Sequence, residues 1–235
     1  MKLTYYGYNA FVIEGEGKTI VLDPGQDLYW RRLDSLIPRS LWLQADLILV
    51  THGDADHAEY VPRVAEASGA PVVCSPPLAE KWRRKGVTVV PIASDETVEA
   101  AGVKVQGVPV RHGPVLRLFG RSFALKPGGD SVGLLFTLEG RCLLALGDTM
   151  PLEDAWRGLR PDVLLVPIGG VMTMNVDQAL RAVAAIEPQV VIPVHYHWHI
   201  LFYRHPADVE RFAAEVRAVG RRCFPLKPGE GVEIG

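Results

Sequence analysis

The chain has 235 residues, 48% of them hydrophobic and 22% charged, enough apolar material for one large α/β core without help from disulfides. Its net charge of -2 excludes the broad positive field of a non-specific nucleic-acid or anionic-membrane binder, and no apolar run approaches the ~20 residues of a membrane span. Met1 to Asn9 turns polar and aromatic where a secretory leader would stay apolar, and Cys74, Cys142 and Cys223 are widely spaced in apolar stretches. A cytoplasmic protein with buried free thiols is therefore expected. No linker is visible, and residues 1–235 read as one domain.

In chain order, residues 3–6, 10–14 and 18–22 read as strands joined by glycine-rich turns and followed by Asp23-Pro24-Gly25, an antiparallel hairpin region. Residues 26–44 lack clean periodicity, with Pro38 starting a short helix, and 46–50 form a continuous apolar run, expected as a strand buried on both faces. Pro62 fits the first turn of a helix that buries Val61, Val64 and Ala65 and ends at Gly69. A strand at 71–74 and a helix over 77–85 come next. From 87 to 111 the pattern returns to short strands, and alternation places Val108, Val110 and His112 on one face. Residues 113–131, rich in Gly, Arg and Pro, read as a long loop. Strands are expected at 132–138, 142–146, 162–166 and 190–194, with an amphipathic helix over 176–186, a last helix over 206–219, and short strands near 222–226 and 232–234. Asp46 to Val73 and Asp162 to Val191 share one pattern of aspartate, four apolar residues, loop, helix and valine pair, as two facing β-loop-α-β units would.

The densest chemistry is Thr51-His52-Gly53-Asp54-Ala55-Asp56-His57, which packs four metal-capable side chains into six positions directly after an apolar strand. Three more strand ends deliver a potential ligand: Val110 before His112, Leu146 before Asp148, and Val194 before His195. In open α/β sheets, sites collect at the carboxyl ends of strands. A lone histidine after a strand is ordinarily a surface or core residue, but four such ends, one carrying a dense cluster, point to a metal centre. Two signals are weaker. Trp82-Arg83-Arg84-Lys85 reads as a solvated helix end, and Arg111, Arg117, Arg121 and Lys126 around the long loop could attract an anionic substrate. Gly128-Gly129 and Gly169-Gly170 lack the spacing of a phosphate loop or dinucleotide fingerprint.

Thr51 to His57, His112, Gly147-Asp148-Thr149 and Pro193-Val194-His195-Tyr196 resemble the successive motifs of the metallo-β-lactamase-fold hydrolases, over most of the chain. Gly7-Tyr8-Asn9-Ala10 with Asp23-Pro24, and Pro167-Ile168-Gly169-Gly170 with Thr173-Met174, bring the likeness nearest to the UlaG-like, UPF0173-type metal-dependent hydrolases. The resemblance implies an α/β four-layer αββα sandwich with metals at the sheet edge. It implies two divalent ions, zinc foremost with manganese or iron(II) as alternatives. His52 and His112 would bind the first, Asp56, His57 and His195 the second, and Asp148 would bridge them, with Asp56 and Asp148 the catalytic carboxylates. Such a pair of ions draws a nucleophile from water and stabilises an oxyanion, so no serine or cysteine nucleophile is required. Asp23 reads equally as a support behind the ligands or as a turn residue before Pro24.

Asp54 departs from the pattern, because the family motif has a second histidine there. It either ligates the first ion as an oxygen donor, the favoured outcome, or leaves that ion weakly held, or marks a lost site. A second departure is His195-Tyr196-His197-Trp198-His199, in which His197 or His199 either contacts substrate or lies in an exposed loop. The expected function is metal-dependent hydrolysis of an ester-like bond in a small anionic or ester substrate, phosphodiester or lactone, with neither nucleic acid nor membrane as partner. The rivals are an RNA-processing nuclease of the same fold, for which no appended RNA-binding region is visible, and a regulatory metal-binding module disabled at Asp54.

Overall fold

Strands that are apolar on both faces must be covered twice, and that requirement organises the chain. A computed structural model describes residues 1–28, 33–113, 115–118, 121–124, 131–170, 172–196 and 207–235. The first half contains β1 (Lys2–Gly7), β2 (Ala10–Gly15), β3 (Lys18–Leu22), α1 (Arg39–Trp42), β4 (Leu47–Leu49), α2 (Ala55–Ala58), α3 (Val61–Ser68), β5 (Val72–Cys74), α4 (Pro76–Arg83) and β6 (Val89–Pro91). The second half contains β7 (Thr97–Ala100), β8 (Val103–Val108), β9 (Val115–Leu118), β10 (Arg121–Ala124), β11 (Gly133–Leu138), β12 (Arg141–Ala145), α5 (Glu153–Trp156), β13 (Val163–Pro167), α6 (Val176–Ile186), β14 (Val190–Val194), α7 (Val209–Ala218), β15 (Arg222–Cys223) and β16 (Gly231–Glu233).

Among the described residues two seven-stranded sheets form, in the orders β16-β1-β2-β3-β4-β5-β6 and β15-β14-β13-β12-β11-β8-β7, beside a two-stranded pair of β9 and β10. Alternate residues of each central strand serve different cores. Leu47 and Leu49 join Leu143, Ala145, Val163, Leu165 and Ile192 between the sheets. Ile48 and Val50 pack outward against Trp42, Val61, Val64 and Trp82 of the first helical layer. Leu164 and Val166 do the same against Trp156, Ala182 and Phe212 of the second. This is the four-layer αββα arrangement, and the helices form because each buries one apolar stripe.

The repeated pattern beginning at Asp46 and Asp162 is realised in matching bonds. The Asp46 carboxylate accepts the backbone N–H of Thr19 on the neighbouring strand at 2.7 Å, and the Asp162 carboxylate accepts that of Cys142 at 2.8 Å. The paired strands β4/β5 and β13/β14 are both parallel.

The structure moves several boundaries. β8 stops at Val108, because Pro109 has no N–H to extend a ladder, so His112 is reached through non-strand backbone instead of alternation. α4 begins at Pro76 and ends at Arg83. The last helix begins at Val209, where the Asp208 side chain accepts the Arg211 N–H at 2.9 Å; Pro206 lies outside the described residues. The stretch read as a long loop contains the β9/β10 hairpin, and Cys142 is half-buried while Cys74 and Cys223 are buried. Among the described residues no helix is long and apolar enough to cross a membrane.

Candidate metal centre

The parallel strands of both sheets place their carboxyl ends at one edge, and the site is assembled from the residues just beyond those ends. β3 leads into Asp23, β4 into Thr51 and His52, β12 into Asp148, and β14 into His195. Asp56 and His57 lie on α2 itself, so the cluster is partly helical rather than a plain loop. Gly25 lets the turn after β3 pass beneath α2: a Cβ there would stand 1.8 Å from the Asp56 carbonyl oxygen. Gly147, at φ 61°, brings Asp148 in so closely that a Cβ would meet Thr51 Cβ and Oγ1 at 2.6 Å. His112 is held beside Asp148 by the Arg111 N–H, which donates to Thr149 Oγ1 at 3.0 Å, and by an antiparallel bridge between Arg111 and Met150.

All seven side chains expected as ligands converge. Asp54 Oδ2 is 3.7 Å from His52 Nε2 and 3.3 Å from His112 Nε2. Asp56 Oδ2 is 3.8 Å from His57 Nε2 and 3.4 Å from His195 Nε2. Asp148 lies between the two groups, with Oδ1 3.4 Å from His57 Nε2 and Oδ2 3.2 and 3.8 Å from the Nε2 atoms of His195 and His112. Donors that share one cation at ~2.1 Å in tetrahedral array are ~3.4 Å apart, so these separations suit common ions better than direct hydrogen bonds.

Hydrogen bonding behind the site fixes which nitrogen each ring presents. Asp23, wholly buried, accepts the Thr51 N–H at 2.8 Å through Oδ1. Its Oδ2 accepts Thr51 Oγ1 at 2.6 Å and Asn9 Nδ2 at 2.7 Å, and lies 2.8 Å from His57 Nδ1, which therefore carries the proton. Thr51 Oγ1 gives its only proton to Asp23, so it accepts from His52 Nδ1 at 3.1 Å. His112 Nδ1 donates to the Gly113 carbonyl at 2.9 Å. Each ring thus aims Nε2 inward as a lone pair, the arrangement that ligating histidines adopt. The Nε2 atoms of His52, His57 and His112 and Oδ1 of Asp148 are buried without a hydrogen-bond partner among the described residues. Orphaned groups of this kind are costly unless something else meets them, and a cation fits all four. His195 closes the group at φ 56°, where the chain turns; its N–H donates to the Tyr8 carbonyl at 3.0 Å and its ring stands edge-on to Tyr8 at 5.1 Å.

The electrostatics describe the same demand for positive charge. Burial opposes protonation of His57 and His195, yet the surrounding carboxylates, Asp148 foremost, outweigh it and push them up to about 9 and about 10. Burial likewise opposes ionising Asp148, but the His195 and His57 charges hold it far below the usual carboxylate range. Burial, with His57 beside it, pushes His52 down to about 4. Without a cation, protons on His57 and His195 offset part of the buried carboxylate charge.

Asp23 is both turn residue, at φ 44°, and hydrogen-bond support for His57 directly and for His52 by way of Thr51. The roles of Asn9 and Thr51 are not legible in the sequence, although both sit inside the motifs Gly7-Tyr8-Asn9-Ala10 and Thr51 to His57. Arg111 turns away from the site, donating to the Pro151 carbonyl at 3.3 Å. Arg117 and Arg121 fall in β9 and β10. Lys126, His197 and His199 lie outside the described residues.

Comparison with known proteins agrees with this geometry. The beta-lactamase superfamily domain matches residues 2–195. A UPF0173 metal-dependent hydrolase of Thermoplasma acidophilum is 33% identical, covering 100% of this chain and 99% of the relative. One from Carboxydothermus hydrogenoformans is 34% identical, covering 100% of both. Among solved structures, Igni18, a metallo hydrolase from the archaeon Ignicoccus hospitalis, superposes with a TM-score of 0.80 at 27% identity, covering 98% of this chain and 97% of that one. With its two stacked sheets, its clustered histidines and aspartates beyond the strand ends, and relatives matched from end to end, the chain belongs to the beta-lactamase superfamily and, within it, to the UPF0173 metal-dependent hydrolases.

Proposed function

We propose that the protein is a cytoplasmic hydrolase that cleaves an ester-like bond, phosphodiester or lactone, at a centre of two divalent ions, zinc or, as alternatives, manganese or iron(II). The carrying observation is the double cluster: His52 with Asp54 and His112, and Asp56 with His57 and His195, each within 4.8 Å, with Asp148 in contact with both. The ions, when bound, supply a nucleophile from water at neutral pH and a positive charge for the oxyanion formed at carbonyl carbon or phosphorus. The protein's own part is positional and protonic. Asp23, through His57 directly and His52 by way of Thr51, holds two rings in the tautomer that faces the site. Asp148 spans both positions from a buried setting. Asp56 and Asp54, with side chains 13% and 25% exposed, mark the open side from which a substrate arrives. On that side Asp56 would accept the proton released as water attacks, through the carboxylate oxygen not given to the ion.

Phosphodiesters are preferred over lactones because Arg117, Arg121 and Lys126 lie soon after His112 in the sequence, and arginine pairs well with phosphate. No nucleic acid or membrane partner is invoked. The test is a screen of phosphodiester, phosphomonoester and lactone substrates on one preparation of known metal content. Chelator-sensitive turnover of a phosphodiester or lactone supports the reading; a metal-replete protein inert toward all three classes overturns it.

A further inference from the structure

From the side chain at position 54, we infer that this chain makes its two metal positions chemically equivalent, so that both take the same cation. The inference rests on the two-ion reading of the site and concerns what distinguishes one position from the other. Asp54 occupies the N-cap of α2 with extended backbone, φ -71° and ψ 154°, where an aspartate ordinarily accepts an N–H from the first turn; it makes no side-chain capping bond. The carboxylate turns instead toward His112 and His52, at 3.3 and 3.7 Å. Both of those rings present a buried Nε2 that has no hydrogen-bond partner among the described residues, and His52 is wholly buried. A cap position that points its carboxylate at two orphaned imidazole nitrogens is explained by a shared ligand between them.

Counting donors then gives a symmetry. The first position offers two imidazoles, His52 and His112, and two carboxylates, Asp54 and the shared Asp148. The second offers two imidazoles, His57 and His195, and two carboxylates, Asp56 and Asp148. A histidine at position 54 would give three imidazoles and one carboxylate at the first position only. A third imidazole favours zinc, whereas each carboxylate oxygen in its place shifts the balance toward manganese and iron(II), so Asp54 removes the difference in preference between the two positions. Asp54 also brings the carboxylates lining the centre to three, which favours retention of two doubly charged ions.

The experiment loads metal-free wild type, Asp54→His and Asp54→Asn with zinc(II) against a graded large excess of manganese(II), since zinc outcompetes manganese at equal concentration. Total metal is measured by elemental analysis, occupancy of each position by anomalous diffraction at the two metal edges, and manganese coupling by electron paramagnetic resonance. In wild type the manganese-to-zinc ratio is expected to be the same at both positions within about twofold at each excess, with a spin-coupled manganese pair once manganese fills both. In Asp54→His the ratio at the first position is expected to fall about tenfold, replacing the coupled signal with that of isolated manganese, while the second position is unchanged. Asp54→Asn, which keeps the size but loses the charge, is expected to lose ions from the first position alone. Identical ratios at the first position in wild type and Asp54→His, or full first-position occupancy in Asp54→Asn, would overturn the inference and leave the two-ion reading standing. A wild type that holds no ion at either position would overturn both.

Discussion

Replacing Asp23 by asparagine preserves the shape of the side chain while removing the charge on which two ligand rings depend. The carboxylate accepts four bonds, from the Thr51 N–H at Oδ1 and from Thr51 Oγ1, Asn9 Nδ2 and His57 Nδ1 at Oδ2. An amide has one oxygen. If it stays at the Oδ2 position, the NH2 group faces the Thr51 N–H, donor against donor, and one buried donor is orphaned at a cost of about 1–3 kcal/mol. The other three bonds lose their charge assistance, which roughly halves each of them. The total is about 3–5 kcal/mol, in line with breaking other buried charged networks. Because His57 and His52 are then less firmly held in the Nε2-inward tautomer, metal affinity is expected to fall about 10–100-fold. Chemical denaturation of the metal-free protein isolates the folding cost, and titration against a competing chelator measures affinity. A loss below about 1 kcal/mol with unchanged affinity would refute the relay from Asp23 to the ligands.

Gly147→Ala adds a Cβ that meets Thr51 at 2.6 Å on backbone at φ 61°, and is expected to cost about 2–4 kcal/mol in thermal denaturation and to deplete metal; normal stability would mean that the turn relaxes freely. In the metal-free protein, His57 and His195 are raised to about 9 and about 10, from an unfolded value near ~6.5. Their protonation therefore contributes stability that is complete below pH ~6.5 and lost as pH rises through about 9 and 10. Denaturation midpoints of the chelated protein should fall across that window, and metal binding at neutral pH should release protons, detectable by calorimetry in buffers of different ionisation heat; a flat profile with no proton release counts against a charge balance kept by protonated histidines. Asn175→Ala removes one half of the capping box that opens α6 and is expected to cost about 1 kcal/mol with metal content unchanged, since the box joins Asn175 to Gln178 and to none of the candidate ligands; metal loss there would show that the site depends on global stability alone.

The strongly patterned elements were legible in the sequence because their physics is local. α6 carries its own capping box and apolar stripe, and α3 begins with a proline and ends at Gly69 in the left-handed region. Most of the side chains that converge at the candidate centre are legible because they follow strands that apolar runs announce. The position of His112 does not come from alternation: the strand stops at Val108, and the chain just before the histidine is held at Arg111 by Thr149 and the Met150 bridge, contacts distant in sequence. The β9/β10 hairpin was hidden by its Gly, Arg and Pro content. The support network was the least legible part. Asp23 is reached by Asn9 across 14 residues and by Thr51 across 28, and no periodicity links them. Only the folded edge of the sheet shows that Asp23 is a turn residue and an anchor at once.

The central claim, two divalent ions held together at this sheet edge, is tested most directly by elemental analysis of the purified chain after incubation with divalent salts and removal of unbound metal. About two equivalents per chain are expected, lost together with hydrolytic turnover on chelation and restored on reloading. A stably folded chain that retains one equivalent or none under those conditions contradicts the account.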